Sequence, residues 1–225
     1  MSEAYEIEIK SLLGSKERAD SLREKILKSN LGFKLTSKNK QLNHYFNISD
    51  VVKFKRSLES RIDKSKVAVF RKILEKGSNF SIRTRETDGR VILVIKASID
   101  EGTSANTVSR MEFESEMKMS LEELGRLLLE AGLTYQAKWS REREEYKSDS
   151  ANVCIDKNAG YGYLAEFEKV VADAREKDSV KEELLALMRE MEVSELPQDR
   201  LERMFAYYNS HWPEYYGTEK IFNIE

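Results

Sequence analysis

Two rhythms alternate along this chain. Glu6-Ile7-Glu8-Ile9-Lys10 carries a charge at every second residue with isoleucines between, the period of a strand with one apolar face. That strand is predicted to end near Lys10. Ser15 then caps a helix that buries Leu22 and Ile26 and is predicted to stop at Gly32. A second strand over 34–47 ends in His44-Tyr45-Phe46-Asn47. From Asp50 to Gly77 the spacing turns helical, with Val51, Phe54, Leu58, Val67, Phe70 and Leu74 recurring at three and four, as in a helical hairpin or one broken helix. Residues 80–85 and 91–96 form a hairpin around Asp88-Gly89, a pair that tolerates positive φ.

Residues 100–106, rich in Gly, Ser, Thr and Asn, read as a loop before a long strand over 107–117. Ser120 and Glu123 spell a capping box for a helix with a stripe of Leu121, Leu124, Leu128 and Leu129, closed by Gly132. Strands follow at 134–146, 152–156 and 162–170, with turns at Ser148-Asp149-Ser150 and Asn158-Ala159-Gly160. Beyond Ala172, Val180, Leu184, Leu187 and Met188 mark one helix, and Pro197 suits the first position of another. The expectation is an α+β fold in a single domain. A strand-rich part covers 1–171 with a helical insertion at 50–77, and C-terminal helices over 172–225 pack on it.

The charged strand positions share one phase. Glu6, Glu8 and Lys10, Arg83 and Arg85, Lys96, Arg110, Glu112 and Glu114, Arg141 and Arg143, Asp156, and Glu166 and Glu168 fall on one side. Ile7, Ile9, Ile82, Ile95, Met111, Phe113, Val153, Ile155, Ala165 and Phe167 fall on the other, which suits a cover of helices. The eight strands are therefore predicted to close into an antiparallel β-tunnel, a barrel whose charged side faces the lumen. Seven acids and seven bases cannot share a dry interior, because each ion taken out of water costs roughly several kcal/mol. A triphosphate with a divalent cation would fill such a lumen: arginine forks match phosphate oxygens in pairs, and carboxylates take hard cations.

Composition narrows the classes. With 225 residues, 40% hydrophobic, the chain can bury a sizeable core, and a net charge of −2 argues against a general nucleic-acid surface. One cysteine, Cys154, cannot form an intrachain disulfide, and the sequence shows neither a leader pattern nor about eighteen apolar residues in a row. A cytoplasmic protein is expected. Only His44 and His211 are present, and there is no Walker loop, HExxH or GxSxG. Cys154 shares phase with Asp156. Tyr45 reads as packing more than substrate contact. The aromatic run Phe205, Tyr207, Tyr208, Trp212, Tyr215 and Tyr216 is expected to dock the last helix, and Lys220 to reach a tunnel mouth if the tail folds back.

One ordered series resembles a known family. Glu6-Ile7-Glu8-Ile9-Lys10, Tyr45-Phe46, Arg83-x-Arg85, Lys96, Arg110-x-Glu112-x-Glu114, Arg141-x-Arg143-x-x-Tyr146, Asp156 and Gly160-x-Gly162-x-x-x-Glu166-x-Glu168 are similar to the signature of the CYTH proteins, or triphosphate tunnel metalloenzymes. The family is known for an eight-stranded antiparallel tunnel that binds triphosphate-containing substrates with magnesium or manganese. Its members include class IV adenylyl cyclases, thiamine triphosphatases and inorganic triphosphatases. The resemblance implies that Glu6, Glu8, Glu112, Glu114, Asp156, Glu166 and Glu168 ligate Mg²⁺ or Mn²⁺. It implies that Lys10, Arg83, Arg85, Lys96, Arg110, Arg141 and Arg143 grip phosphates, although Arg110 could equally pair with a neighbouring carboxylate. Glu6, Glu8 and Lys10 are then the expected catalytic residues.

The expected activity is metal-dependent hydrolysis of inorganic triphosphate, thiamine triphosphate or a nucleoside triphosphate by phosphoryl transfer to water. The alternative is conversion of ATP to cyclic AMP and pyrophosphate. A third reading, a polyphosphate-binding module without turnover, does not need the near-complete set of acids. The expected partner is a triphosphate-containing small molecule, with no nucleic acid and no membrane, and with room for a homodimer. Asn47 after Tyr-Phe, Arg141 in place of a lysine and the long insertion at 50–77 depart from the family pattern; the insertion could form a lid or an interface.

Overall fold

Strand β1 (Tyr5–Gly14) runs past its predicted end at Lys10, because Leu13 continues the apolar phase and is 1% exposed. In this computed structural model, which describes residues 5–98, 110–171 and 173–225, α1 (Lys16–Lys28) follows, and the Ser15 side chain caps it by accepting from the Arg18 N–H. Next come β2 (Lys34–Asn47), α2 (Val51–Leu58) and α3 (Val67–Lys76), so the insertion is two helices with a short 3₁₀ turn between. The order continues through β3 (Ser78–Thr87), β4 (Arg90–Ser98), β5 (Arg110–Met117), α4 (Leu121–Glu130), β6 (Thr134–Lys147), β7 (Asn152–Asn158), β8 (Gly162–Val171), α5 (Lys177–Glu190) and α6 (Gln198–Tyr215). The loop expected over 100–106 lies outside the described residues, as do 107–109 of the strand after it. Among the described residues no helix is long and apolar enough to cross a membrane.

Local chemistry accounts for the boundaries. Asp88 and Gly89 have φ of 50° and 73°, the left-handed pair that a two-residue hairpin turn requires. The Ser120–Glu123 capping box forms, with the Glu123 carboxylate accepting from the Ser120 N–H at 2.8 Å. Leu121, Leu124 and Leu128 take the buried face of α4, and Leu129, one residue off that stripe, is 41% exposed instead of packed as expected. Pro197 caps α6 from the position before its first turn.

Eight strands form one antiparallel sheet in the order β1-β8-β7-β6-β2-β3-β4-β5. The predicted closure into a barrel is corrected: among the described residues the sheet ends at β1 and β5, and no pairing joins them. Both edges already have other partners. The Leu196 N–H, in the link between α5 and α6, donates to the Lys10 carbonyl at 2.7 Å. At the other edge the Lys66 ammonium donates to the Glu114 carbonyl at 2.8 Å.

The chain divides into two compact units, Gln41–Trp139 and the residues up to Lys40 with Ser140–Glu225. In the Gln41–Trp139 unit, Phe46, Ile82, Ile95 and Phe113 stand opposite one another across four strands, each no more than 2% exposed. Phe54, Leu58, Phe70 and Ile73 of α2 and α3 and Leu124 and Leu128 of α4 cover that row. In the other unit the row is Ile9, Phe167, Val153 and Tyr146, covered by Leu22 and Ile26 of α1 and by Val180, Leu184 and Met188 of α5. Each such side chain contributes roughly 1.5–3 kcal/mol, and together the rows fix the phase of every strand that carries them.

In the aromatic run of α6, Tyr208 is fully buried against Tyr161 and Tyr215 is 8% exposed, whereas Phe205, expected to dock with them, is 43% exposed. The segment after α6 returns to the β7–β8 turn: the Phe222 N–H donates to the Gly160 carbonyl at 2.8 Å, and the Gly160 N–H to the Lys220 carbonyl at 3.2 Å. It is thus the backbone of Lys220 that is engaged, while its side chain is exposed. Gly160 has φ of 79°, and a Cβ there would lie 2.8 Å from Phe222 and from Tyr208, so only glycine fits.

Candidate active site

The apolar rows force the charged residues onto the opposite face of each unit. In the unit containing both termini, Lys10 stands across from Glu166, Glu8 across from Glu168, and Arg143 across from Asp156. Arg143 grips Asp156 as a fork, Nε to Oδ1 at 2.7 Å and Nη2 to Oδ2 at 2.5 Å, and its Nη2 also bonds Glu166. Arg141 adds a bond to Asp156 at 3.2 Å. Lys10 pairs with Glu8 and lies 3.4 Å from Glu166. Burial would raise the Glu166 pKa, but Lys10, Arg143 and Arg141 outweigh it and hold the carboxyl well below the usual range, at about 2. Burial likewise works against the charge on Arg143, and Asp156 and Glu166 overcome it. On this face three cations hold Glu8, Asp156 and Glu166 in one ion-pair network.

The Gln41–Trp139 unit is different. Its polar face carries Arg83, Arg85, Lys96, Glu112 and Glu114 in the expected phase. Lys96 lies 3.3 Å from Glu112 and Arg85 3.5 Å from Glu114, with both carboxylates more than 40% exposed. Arg83 has no carboxylate within ion-pair distance among the described residues. Its Nη1 donates to the Tyr45 hydroxyl at 2.9 Å, its guanidinium lies 5.7 Å from the centre of that ring, and its buried Nε has no hydrogen-bond partner. Tyr45 therefore does more than pack. Register places Glu6 opposite Val170 and Arg110 opposite Ser98, and both side chains lie outside the described residues.

Among the described residues no three Asp, Glu, His or Cys side chains gather as a cation cage. The donor type nonetheless suits magnesium or manganese, because the polar faces offer hard carboxylate oxygens. Glu8 and Glu168 stand directly opposite on adjacent strands, an arrangement of like charges that a shared cation stabilises. Sequence reasoning did not single out Gln41 and Asn43, which are 7% and 2% exposed on the polar face of β2. The signal was present: Gln41-x-Asn43-x-Tyr45 repeats the period-two polar pattern.

Cys154 is buried, and burial pushes its thiol up to about 12, which leaves it unreactive. His44 lies on the apolar face, edge-on to Tyr135, where burial, helped by Lys138, pushes its imidazole down to about 4. The unfolded chain takes up that proton near pH 6.5 and the folded chain only near 4, so acid favours unfolding between those values. Stability measured by urea denaturation is expected to fall by up to about 3 kcal/mol from pH 6.5 to 4 through this group. His44→Gln should flatten that part of the profile, and an unchanged slope would remove His44 as its source.

Comparison with known proteins agrees with the geometry. The CYTH domain family matches residues 4–200. A Methanocaldococcus jannaschii protein provisionally named an adenylate cyclase is 27% identical over 190 residues, covering 84% of this chain and 90% of that protein. Among solved structures, a protein of Pyrococcus horikoshii OT3 has a TM-score of 0.58 at 17% identity, over 84% of this chain and 92% of the other. A Hippeastrum protein, provisionally named an adenylyl cyclase and described as having a dominant triphosphatase activity, has a TM-score of 0.50 at 16% identity, over 88% and 95%. At these identities the two structures establish a shared fold.

Proposed function

The chain belongs to the CYTH family, and from that premise we propose that it hydrolyses a triphosphate-containing substrate by phosphoryl transfer to water. Inorganic triphosphate, thiamine triphosphate and nucleoside triphosphates are the candidate substrates. Arg83 carries the assignment: a guanidinium with no carboxylate in ion-pair reach among the described residues and an unbonded buried Nε calls for an anion from outside. Arg85, Lys96 and Arg110 add to the phosphate grip in the same unit, and Lys10, Arg141 and Arg143 supply cations in the other. Glu8 and Glu168, with Glu6, Glu112, Glu114, Asp156 and Glu166, are the carboxylates that would hold magnesium or manganese. The bound ion would supply polarisation of a phosphate oxygen and a more acidic water. The arginines stabilise charge on the transferred group. Glu8, steadied by Lys10, takes the proton of the attacking water, with Glu6 as its neighbour in phase. A small charged substrate of this kind and a single thiol suit the cytoplasm.

Cyclisation of ATP is the second reading, favoured by the name of the Methanocaldococcus jannaschii relative. The Hippeastrum protein carries a similar name and is described with dominant triphosphatase activity, which supports hydrolysis here. Purified protein with Mg²⁺ or Mn²⁺ is to be offered inorganic triphosphate, thiamine triphosphate and ATP, and phosphate, pyrophosphate and cyclic AMP scored separately. Phosphate release that stops on chelation is the expected result. Cyclic AMP with pyrophosphate would establish the cyclase, and binding without turnover would reduce the site to a polyphosphate-binding module.

A further inference from the structure

We propose that Asn43 is a positioning residue that sets Arg85 in place for phosphate, an inference that rests on the triphosphate reading above. Asn43 on β2 stands directly opposite Arg85 on β3, just as Tyr45, two residues on, stands opposite Arg83. The two pairs share one cross-strand register. The Arg85 Nε donates to the Asn43 Oδ1 at 3.4 Å, as the Arg83 Nη1 donates to the Tyr45 hydroxyl at 2.9 Å. Asn43 is 2% exposed, and a buried amide has two ends to satisfy. Its Nδ2 donates to the Gln41 Oε1 at 3.5 Å, with Gln41 itself 7% exposed. Gln41 thereby fixes which way the Asn43 amide points, and its oxygen is presented to Arg85.

An arginine side chain has many rotamers, and a fork held at its Nε end keeps the Nη groups pre-oriented for an incoming oxyanion. The Arg85 Nη1 also lies 3.5 Å from a Glu114 oxygen, an ion pair with a half-exposed carboxylate. Asn43, backed by Gln41, adds a hold at the Nε end without adding a negative charge to the phosphate site. The chain thus uses β2 as a rack of neutral acceptors for β3 arginines, in contrast to the carboxylate grip on Arg143.

The test uses inorganic triphosphate as probe, with Kd from calorimetry in the presence of chelator and KM and kcat from phosphate release with Mg²⁺. Asn43→Leu should raise Kd and KM about tenfold and leave kcat within about twofold. Asn43→Gln, which keeps a neutral amide acceptor on the same face, should recover part of both losses. The Asn43→Leu effect should vanish in an Arg85→Met background, because it acts through that side chain. If Asn43→Leu does not fold, Asn43→Ala takes its place with the same expected increase. An unchanged Kd, or an equal increase with Arg85 absent, overturns the role of Asn43 alone. Wild-type protein that binds no triphosphate overturns the site assignment and this inference together.

Discussion

Arg83→Met is expected to lower kcat/KM for inorganic triphosphate by about 100-fold or more while leaving the thermal midpoint unchanged or slightly raised. A hundredfold loss corresponds to about 2.7 kcal/mol of transition-state stabilisation, within the usual range for removing one charged donor from a reacting phosphate or oxyanion. Stability should respond in the other direction, because Arg83 lacks an ion-pair partner among the described residues and its Nε has no hydrogen bond. Methionine keeps much of the apolar stem and removes a poorly compensated charge. Steady-state kinetics and scanning calorimetry on the same preparation check both halves. Full activity in the variant would remove Arg83 from the site, and a midpoint several degrees lower would mean that its charge is compensated.

For Arg143→Met both quantities should collapse together. Asp156 is 1% exposed and bonded twice by this guanidinium, which also reaches Glu166. Methionine would leave Asp156 with Arg141 alone and Glu166 with Lys10, two carboxylates short of their shared counterion. Breaking such a buried network costs about 3–5 kcal/mol, a drop of roughly 10 °C in a chain of this size. Acidity should soften the defect. Glu166 is held low partly by Arg143, so in the variant its carboxyl titrates higher and mild acid neutralises it. The gap to wild type should therefore narrow from pH 7 toward pH 5, and a gap that widens over that range would contradict the network as described. Equal loss of activity in the two variants, with unequal loss of stability, is the signature that separates a cation kept for ligand from one kept for the fold.

The difference between these arginines was not legible in the chain. Both sit in an Arg-x-Arg pair on a strand with the same phase. What separates them is the residue across the ladder, Tyr45 for Arg83 and Asp156 for Arg143, and cross-strand register is a property of the assembled sheet. Phase itself was readable, because a period of two leaves the isoleucines and phenylalanines only one face to bury. The Asp88-Gly89 turn and the Ser120–Glu123 box were readable for the same reason: each is a local contract between backbone geometry and side chain. Closure was not. It is a property of the assembled sheet, and the bonds that Leu196 and Lys66 make to the edge carbonyls of Lys10 and Glu114 belong to no pattern along the chain. The end of β1 was set early because Ser11, a buried polar residue, interrupts the apolar phase that Leu13 resumes.

Those two occupied acceptors have a bearing on how the molecule behaves in a crowd. An open sheet with bare rims is a template on which a second chain can zip, the first step toward aggregates and fibrils. At each rim of this sheet a bond in mid-strand interrupts the run of vacant groups that an intruder would need. Resistance to edge-to-edge pairing at high concentration is thus expected to weaken when either the Leu196 amide bond or the Lys66 side chain is removed.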